Sequence, residues 1–348
     1  MSVNICSIGD IMLGENMHHY GRGIPTCFRG NYPSLIPKAV SEIVNQADVL
    51  IGNLECSLMP DNEHVNAPPS RAIYSAPESS LSCFDNWKPL LIFNVANNHF
   101  GQHGKKAMDY TVRCLKERNF YYIGRAPTPL KLTVNGKSIC FWGVTIVKDE
   151  CTDDGYLKST AENLLSDLDW GDKPTGTFWI LSIHWGVEYL TLPSKTQQKL
   201  AEALAKRGVD LILGHHPHVI QPVRYVRGVP VAYSQGNFLF DQNFSKLTQT
   251  GLMICAELCS ATDVRIYKLQ SRNYQIISSL GISAEQLEIF CEQNMSRLRP
   301  LIMRFLMKIE LLSKAHKVPM IVWVHFFFSF LMKISKILQK LTLGKRST

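Results

Sequence analysis

Short apolar runs that stop on polar or glycine residues punctuate the first two thirds of the chain, at residues 3–9, 48–55, 90–95, 138–147, 177–184 and 209–214. Runs of this length, rich in Val, Ile and Leu, read as buried strands. The segments between several of them carry a different period. Leu35, Ile36, Ala39, Val40, Ile43 and Val44 form one apolar stripe with Pro37 in its first turn, which predicts a helix over residues 35–47. Residues 105–118 and 195–206 predict two more helices, and each of the three falls between two strands, as crossovers joining parallel strands require. Residues 229–234, 251–258 and 263–269 then read as strands without helices between them, adding an antiparallel edge or a second sheet. The expected fold class is α/β, a two-sheet α/β sandwich.

After about Ser283 the pattern changes to long helical runs rich in Leu, Ile, Phe, Met and Lys, interrupted by Pro300 and Pro319. This divides the chain into a body, residues 1–283, and a helical C-terminal extension, residues 284–348. Residues 60–77, with four prolines, read as an irregular loop.

Composition sharpens this picture at three points. With 348 residues, 45% of them hydrophobic, the chain has enough apolar mass for one large core or two ordinary ones. The net charge of +8 suggests nucleic acid until it is located: from residue 284 onward eleven Lys or Arg face four Asp or Glu, leaving about +1 for the body. A nearly neutral body argues against nucleic-acid binding. Ten cysteines without a C-x-x-C pair read as reduced, mostly buried thiols in a cytoplasmic compartment. The first strand begins at Val3, which leaves no room for a cleaved secretory signal before it.

Five polar clusters close predicted strands, where open α/β sheets place functional groups. They are Gly9-Asp10, Asn53-Leu54-Glu55, Asn97-Asn98-His99, His184-Trp185-Gly186 and His215-His216-Pro217-His218. Oxygen donors combined with three or more imidazoles suit Mn, Fe or Zn better than Ca or Mg. The His-x-His spacing selects His216 and His218, whose side chains share a side in extended backbone, and leaves His215 a structural role.

This ordered series resembles the ligand series of calcineurin-type metallophosphoesterases. Gly-Asp-Ile-Met-Leu-Gly, Asn-Leu-Glu, Ala-Asn-Asn-His, His-Trp-Gly-Val-Glu-Tyr, Gly-His-His-Pro-His-Val and Ser-Gln-Gly-Asn-Phe together resemble the branch of the capsule and poly-γ-glutamate synthesis protein CapA, over residues 3–269. The resemblance implies a two-sheet metallophosphoesterase sandwich holding one or two divalent transition ions. Asp10 and His218 would hold one, and Asn98, His184 and His216 the other, with Glu55 or Asn53 between them. His99 takes the place of the family's proton donor, and such a site acidifies a coordinated water and clamps the attacked group. The chain departs from the wider superfamily at Asp10-Ile11-Met12, where Asp-x-His is usual, and at Gly52-Asn53-Leu54-Glu55, where a bridging Asp is usual; Gln102 stands where an acidic residue would support the Asn-His pair.

Around this set, Asn97, Trp185, Glu188 and Tyr189 are candidates for substrate contact, with a hydrophobic lid as the alternative for the segment after His184. Asn237 either lines the cleft or belongs to a turn that uses Gly236. His18, His19 and Arg22 offer basic groups to an anionic substrate. In the tail, residues 320–332 are almost wholly apolar and precede Lys333, Lys336, Lys340, Lys345 and Arg346. They are shorter than the ~20 residues of a membrane span and read as an in-plane helix on an anionic membrane face, or as helices docked on protein. The expected activity is that of a metal-dependent hydrolase or transfer protein acting on an anionic polymer or phosphorylated cell-envelope substrate, cytoplasmic and peripheral on the inner membrane face. The alternative is a catalytically weak polymer-binding module tethered there.

Overall fold

The structure, a computed structural model, describes residues 2–16, 20–149, 155–259 and 262–295. In chain order the strands are β1 (Val3–Ile11), β2 (Val49–Leu54), β3 (Ser57–Met59), β4 (Ser75–Pro77), β5 (Leu90–Asn94) and β6 (Tyr121–Ile123). Next come β7 (Leu130–Val134), β8 (Lys137–Thr145), β9 (Thr177–His184), β10 (Leu211–His215), β11 (Val223–Val226) and β12 (Val229–Ala232). β13 (Asn237–Leu239), β14 (Thr250–Leu258), β15 (Asp263–Arg272) and β16 (Gln275–Ile282) complete them. One mixed sheet runs β16-β15-β14-β1-β2-β5-β6, with β13 paired to the end of β1, and a second runs β11-β12-β10-β9-β8-β7.

Alternation along the strands decides which core each side chain enters. Ile5, Val49, Ile51 and Ile92 of the first sheet meet Ile139, Phe141, Ile180, Leu211 and Leu213 of the second in one shared core. The intervening positions Leu50, Leu91 and Phe93 face outward onto Val40, Val44, Met108 and Leu115 of the helices Lys38–Val44 and Gly104–Glu117. On the other side Leu181 and Ile183 meet Leu200, Ala201 and Leu204 of the helix Lys195–Arg207. Strands covered on both faces must be apolar throughout, which is why β2 and its neighbours read as unbroken hydrophobic runs. A polar tie crosses the interior near the strand ends, from Asn94 Nδ2 to Ser182 Oγ at 3.1 Å.

Local chemistry corrects several expectations. The helix foreseen over residues 35–47 is divided into a 3-10 turn, Tyr32–Leu35, and the helix Lys38–Val44. Ile36 precedes a proline and is forced out of helical conformation, so Pro37 caps the helix instead of sitting inside it. Residues 60–77 contain the short helices Asp61–Val65 and Pro69–Ala72 and strand β4, with prolines at the caps. Cys6 and Cys255, register partners on antiparallel β1 and β14, form a disulfide, so the cysteines are not all reduced thiols. Cys56, Cys83, Cys114, Cys140 and Cys291 are buried and free.

The helix Ala284–Gln293, started by a capping box between Ser283 and Gln286, lays Leu287 and Cys291 against Ile220, Val223 and Leu252. Arg224 clamps its Glu288 with nitrogen–oxygen distances of 2.6 and 3.0 Å. The first compact unit accordingly runs to Met295. Residues 296–348, with the apolar and basic segment of the tail, lie outside the described residues, and among the described ones no helix is long and apolar enough to cross a membrane.

Candidate metal centre

The C-terminal ends of β1, β2, β5, β9, β10 and the start of β13 converge on one point. Asp10 ends β1 and lies in register with Asn53 of β2 and Asn237 of β13. This junction needs a glycine at position 9, because a Cβ there would stand 2.0 Å from the carbonyl oxygen of Gly236. Across the gap between the sheets, His184 of β9 is the register partner of His215 of β10. The turn after β10 then delivers His216 and His218. Both have left-handed backbone, with φ of 97° and 57°, so their convergence does not come from an extended strand. Such conformations cost on the order of 1–3 kcal/mol each and concentrate at functional sites. The turn is fixed partly by Asp10, whose Oδ2 accepts from the His216 backbone N–H at 3.2 Å.

Amides orient the carboxylates. Asn53 Nδ2 lies 2.8 Å from Asp10 Oδ1 and 3.3 Å from Glu55 Oε2. Asn97 in turn donates to Asn53 Oδ1 at 3.3 Å and to the Leu54 carbonyl at 2.8 Å, while its own Oδ1 accepts from the N–H groups of His99 and Phe100. Asn97 thus braces the site from behind. Asn98 reaches His184 Nε2 with its Oδ1 at 2.8 Å and His99 Nε2 with its Nδ2 at 3.1 Å. His99 donates Nδ1–H to Gln102 Oε1 at 2.9 Å and stacks on Tyr74 with ring centroids 3.9 Å apart.

Two overlapping trios have donor atoms close enough to share an ion: Asp10, Glu55 and His218, and Glu55, His184 and His216. Glu55 belongs to both. Its Oε1 is buried and accepts no hydrogen bond from the described residues, yet His184 Nε2, His218 Nε2 and His99 Nε2 stand 3.5, 3.8 and 4.0 Å away. A buried carboxylate oxygen left bare is costly. Carboxylates and imidazoles converging on it are the donor set that divalent Mn, Fe or Zn takes, so the residues fit such an ion.

The electrostatics follow from burial and mutual proximity. Burial opposes ionisation of Asp10, but His215 and His218 more than offset it and hold the carboxyl well below its usual range. Burial and the Asp10 charge push Glu55 well above. Burial depresses His184, and it depresses His99 to about 4, so both are neutral imidazoles at pH 7. His218 is the exception: burial works against its charge, but Glu55 and Asp10 outweigh it and raise the ring to about 10.

The remaining sequence candidates distribute unevenly. Asn237 Oδ1 lies 3.0 Å from His218 Nδ1 and orients that ring. Glu188 is half-buried, and its charge is felt at Glu55 and His218. Trp185 turns into the outer core, donating to the Tyr233 carbonyl at 2.8 Å and stacking on that ring. Arg22 is exposed and its carbonyl accepts from the Tyr274 hydroxyl; His18 and His19 lie outside the described residues. His215 does not face elsewhere, since its Nδ1 is 3.2 Å from Asp10 Oδ1. Tyr74 and Asp241, whose charge acts on Glu55, also belong to the surroundings and carry no signal in the sequence alone beyond their place beside short strands.

Comparison with known proteins completes the description. The sequence profile of the bacterial capsule synthesis protein family, PGA_cap, matches residues 4–242. The chain belongs to this family. The PGA_cap match encloses every donor from Asp10 to Asn237, while β14 to β16 lie beyond it. The capsule biosynthesis protein CapA of Bacillus anthracis is 27% identical over 261 residues, which cover 71% of this chain and 62% of that protein. The PGA biosynthesis protein CapA of Bacillus subtilis (strain 168) is 27% identical over 260 residues, 71% of this chain and 65% of the relative. A probable polyglutamine synthesis accessory protein of Mycobacterium tuberculosis is 24% identical over 229 residues, 59% of each chain. The chain therefore spans less than two thirds of the length of these curated relatives.

Proposed function

We propose that this chain is a metal-dependent hydrolase or transfer protein of the CapA type, built on the metallophosphoesterase sandwich and acting on an anionic cell-envelope polymer in capsule or poly-γ-glutamate synthesis. The observation that carries the reading is the bare, buried Glu55 Oε1 shared by two ligand trios. Asp10 and His218 would hold one divalent ion and Asn98, His184 and His216 a second, with Glu55 between them. Bound there, the ions would acidify a water and polarise the attacked group. The chain's own residues orient and move protons. Asn53, braced by Asn97, aims both carboxylates, and Asn237 aims the His218 ring. His99, with Nδ1 committed to Gln102, keeps Nε2 toward the site as a neutral base that would take the proton the attacking water gives up and pass it to the leaving oxygen. The names of the Bacillus relatives support the polymer as substrate class, and the apolar, basic tail supports a place at the inner membrane face.

One observation favours the second reading, a catalytically weak polymer-binding module. Met12, at the position where an imidazole is usual, is fully buried in the core and offers the first trio no donor. Elemental analysis of the full chain decides between the two, together with hydrolysis of an aryl phosphate diester by wild type and a His216→Ala, His218→Ala variant. Two transition ions per chain, lost with activity in the variant, are the expected result. A wild type that binds no transition metal and hydrolyses nothing would sink the enzyme reading.

A further inference from the structure

One side chain packed against the imidazole that would carry the proton has no role in the chemistry so far. Tyr74 immediately precedes β4. Its ring lies flat on His99, with centroids 3.9 Å apart and planes 11° from parallel. Its backbone is left-handed, with φ of 59°, a costly conformation for a bulky residue that persists only where the surroundings impose it. The Tyr74 carbonyl accepts from the Ser57 N–H at 3.1 Å, and Ile73 bridges to Glu15. The Ile73 carbonyl accepts from His103 Nε2 at 2.8 Å. His103 caps the helix Gly104–Glu117, four residues after His99. The segment carrying the phenol ring and the loop carrying the imidazole are thus tied together twice, by the stack and by this bond.

His99 needs such a brace. The χ2 torsion of a histidine is broad and weakly restricted, and rotation about it swings Nε2 away from Glu55 Oε1, now 4.0 Å distant. The bond from Nδ1 to Gln102 opposes that rotation, but Gln102 is exposed, so water competes for it. A ring lying parallel on the imidazole face blocks the rotation directly and keeps water off that face. Burial raises the Tyr74 phenol, and the charges of Asp241, Glu188 and Glu55 add to the effect, so the face offered to His99 is that of a neutral ring. We propose that Tyr74 is a positioning residue for the proton transfer, holding His99 by its flat stack in the orientation that aims Nε2 at the leaving oxygen. The proton that the attacking water gives up then reaches that oxygen through Nε2 as its bond to the attacked group breaks, and a swung ring delivers it poorly. The inference rests on the hydrolase reading for the reaction and on the stack alone for the orientation.

The test compares the full chain with its Y74F, Y74N and Y74L variants, each also combined with H99Q, on phosphate diesters whose leaving groups run from dinitrophenol to phenol. An acidic leaving group departs without a proton, so a misaligned donor is felt only by the basic ones. Y74N and Y74L are expected to lower kcat about 10–100-fold for the phenol ester, with the dinitrophenol ester and the metal content near wild type. Asn suits left-handed backbone and Leu keeps the apolar bulk, so agreement between the two excludes strain and lost volume as the cause. Y74F retains the ring and should keep the wild-type dependence on the leaving group. In the H99Q background no Tyr74 variant should cost anything further, because both residues act on one step. An equal loss on every ester, a loss of metal, a further loss beyond H99Q, or Y74F as impaired as Y74N overturns the proposal, as does wild-type behaviour of Y74N and Y74L. Heteronuclear NMR of the His99 ring nitrogens reads the orientation without turnover: wild type and Y74F should show a single Nδ1–H tautomer, Y74N and Y74L a mixture. A single tautomer in all four also overturns the proposal. If wild type hydrolyses nothing, the enzyme reading fails, and these spectra alone decide whether Tyr74 orients His99.

Discussion

The two sheets bring different chemistry to the same point. The first supplies oxygens and amides: Asp10, Asn53 and Glu55, with Asn97 behind them, already hydrogen-bonded to one another. The second supplies imidazoles, His184, His215, His216 and His218, two of them on left-handed backbone. The oxygen half is therefore preorganised by its own bonds, whereas the imidazole half is held in strained geometry by what it contacts across the gap. Charge explains why the halves need each other. Glu55 resists ionisation in its buried place, while His218 is kept protonated by the carboxyl groups facing it, and a cation bound between the halves relieves both.

Variants can break this division of labour in graded ways. Glu55→Ala strikes both trios at once and is expected to abolish transition-metal content and lower diester hydrolysis by about 10²–10³-fold, measured by elemental analysis and initial rates. His216→Ala and His218→Ala each remove an imidazole from one trio only. Each should lose one ion per chain and retain the other, and loss of both ions in either variant would show that the halves bind as a unit. Asn97→Ala touches no donor directly; by releasing Asn53 it should weaken metal affinity by roughly 10–100-fold, the usual cost of an orienting partner, read by chelator competition. The smallest effect is protonic. His218, raised to about 10, carries a proton at neutral pH that must leave when the ring coordinates. Metal affinity should thus rise with pH below that value, with about one proton released from this ring, measured by calorimetry in buffers of different ionisation enthalpy.

Much of this was legible in the chain because strand ends are marked locally. Gly9-Asp10, Asn53, Asn98 and His184 each close an apolar run, and parallel strands align their ends without further instruction. His216 and His218 were found by spacing, although the extended backbone that justified the spacing is absent: Pro217 lies between two left-handed residues. Tyr74 behind His99, the approach of His215 to Asp10 and the Cys6–Cys255 bond were not legible. Each depends on which distant strands become neighbours, and the disulfide joins residues 249 positions apart. The position of Trp185 illustrates the opposite error. It follows the candidate ligand His184 directly, but alternation along the strand end sends its ring to the other face, against Tyr233.

The placement of β1 between β2 and β14 also sets an order of events during synthesis. Asp10 leaves the ribosome long before the turn that its carboxylate holds, which is 206 positions further along. At ~5–20 residues per second that interval is about 10–40 s, during which the first strand has one neighbour available and not the other. A nascent chain must therefore keep an apolar strand and an unpartnered carboxylate in waiting until the second sheet and β14 emerge. The candidate donors of the two sheets can meet only after the turn bearing His216 and His218 has emerged, long after Asp10.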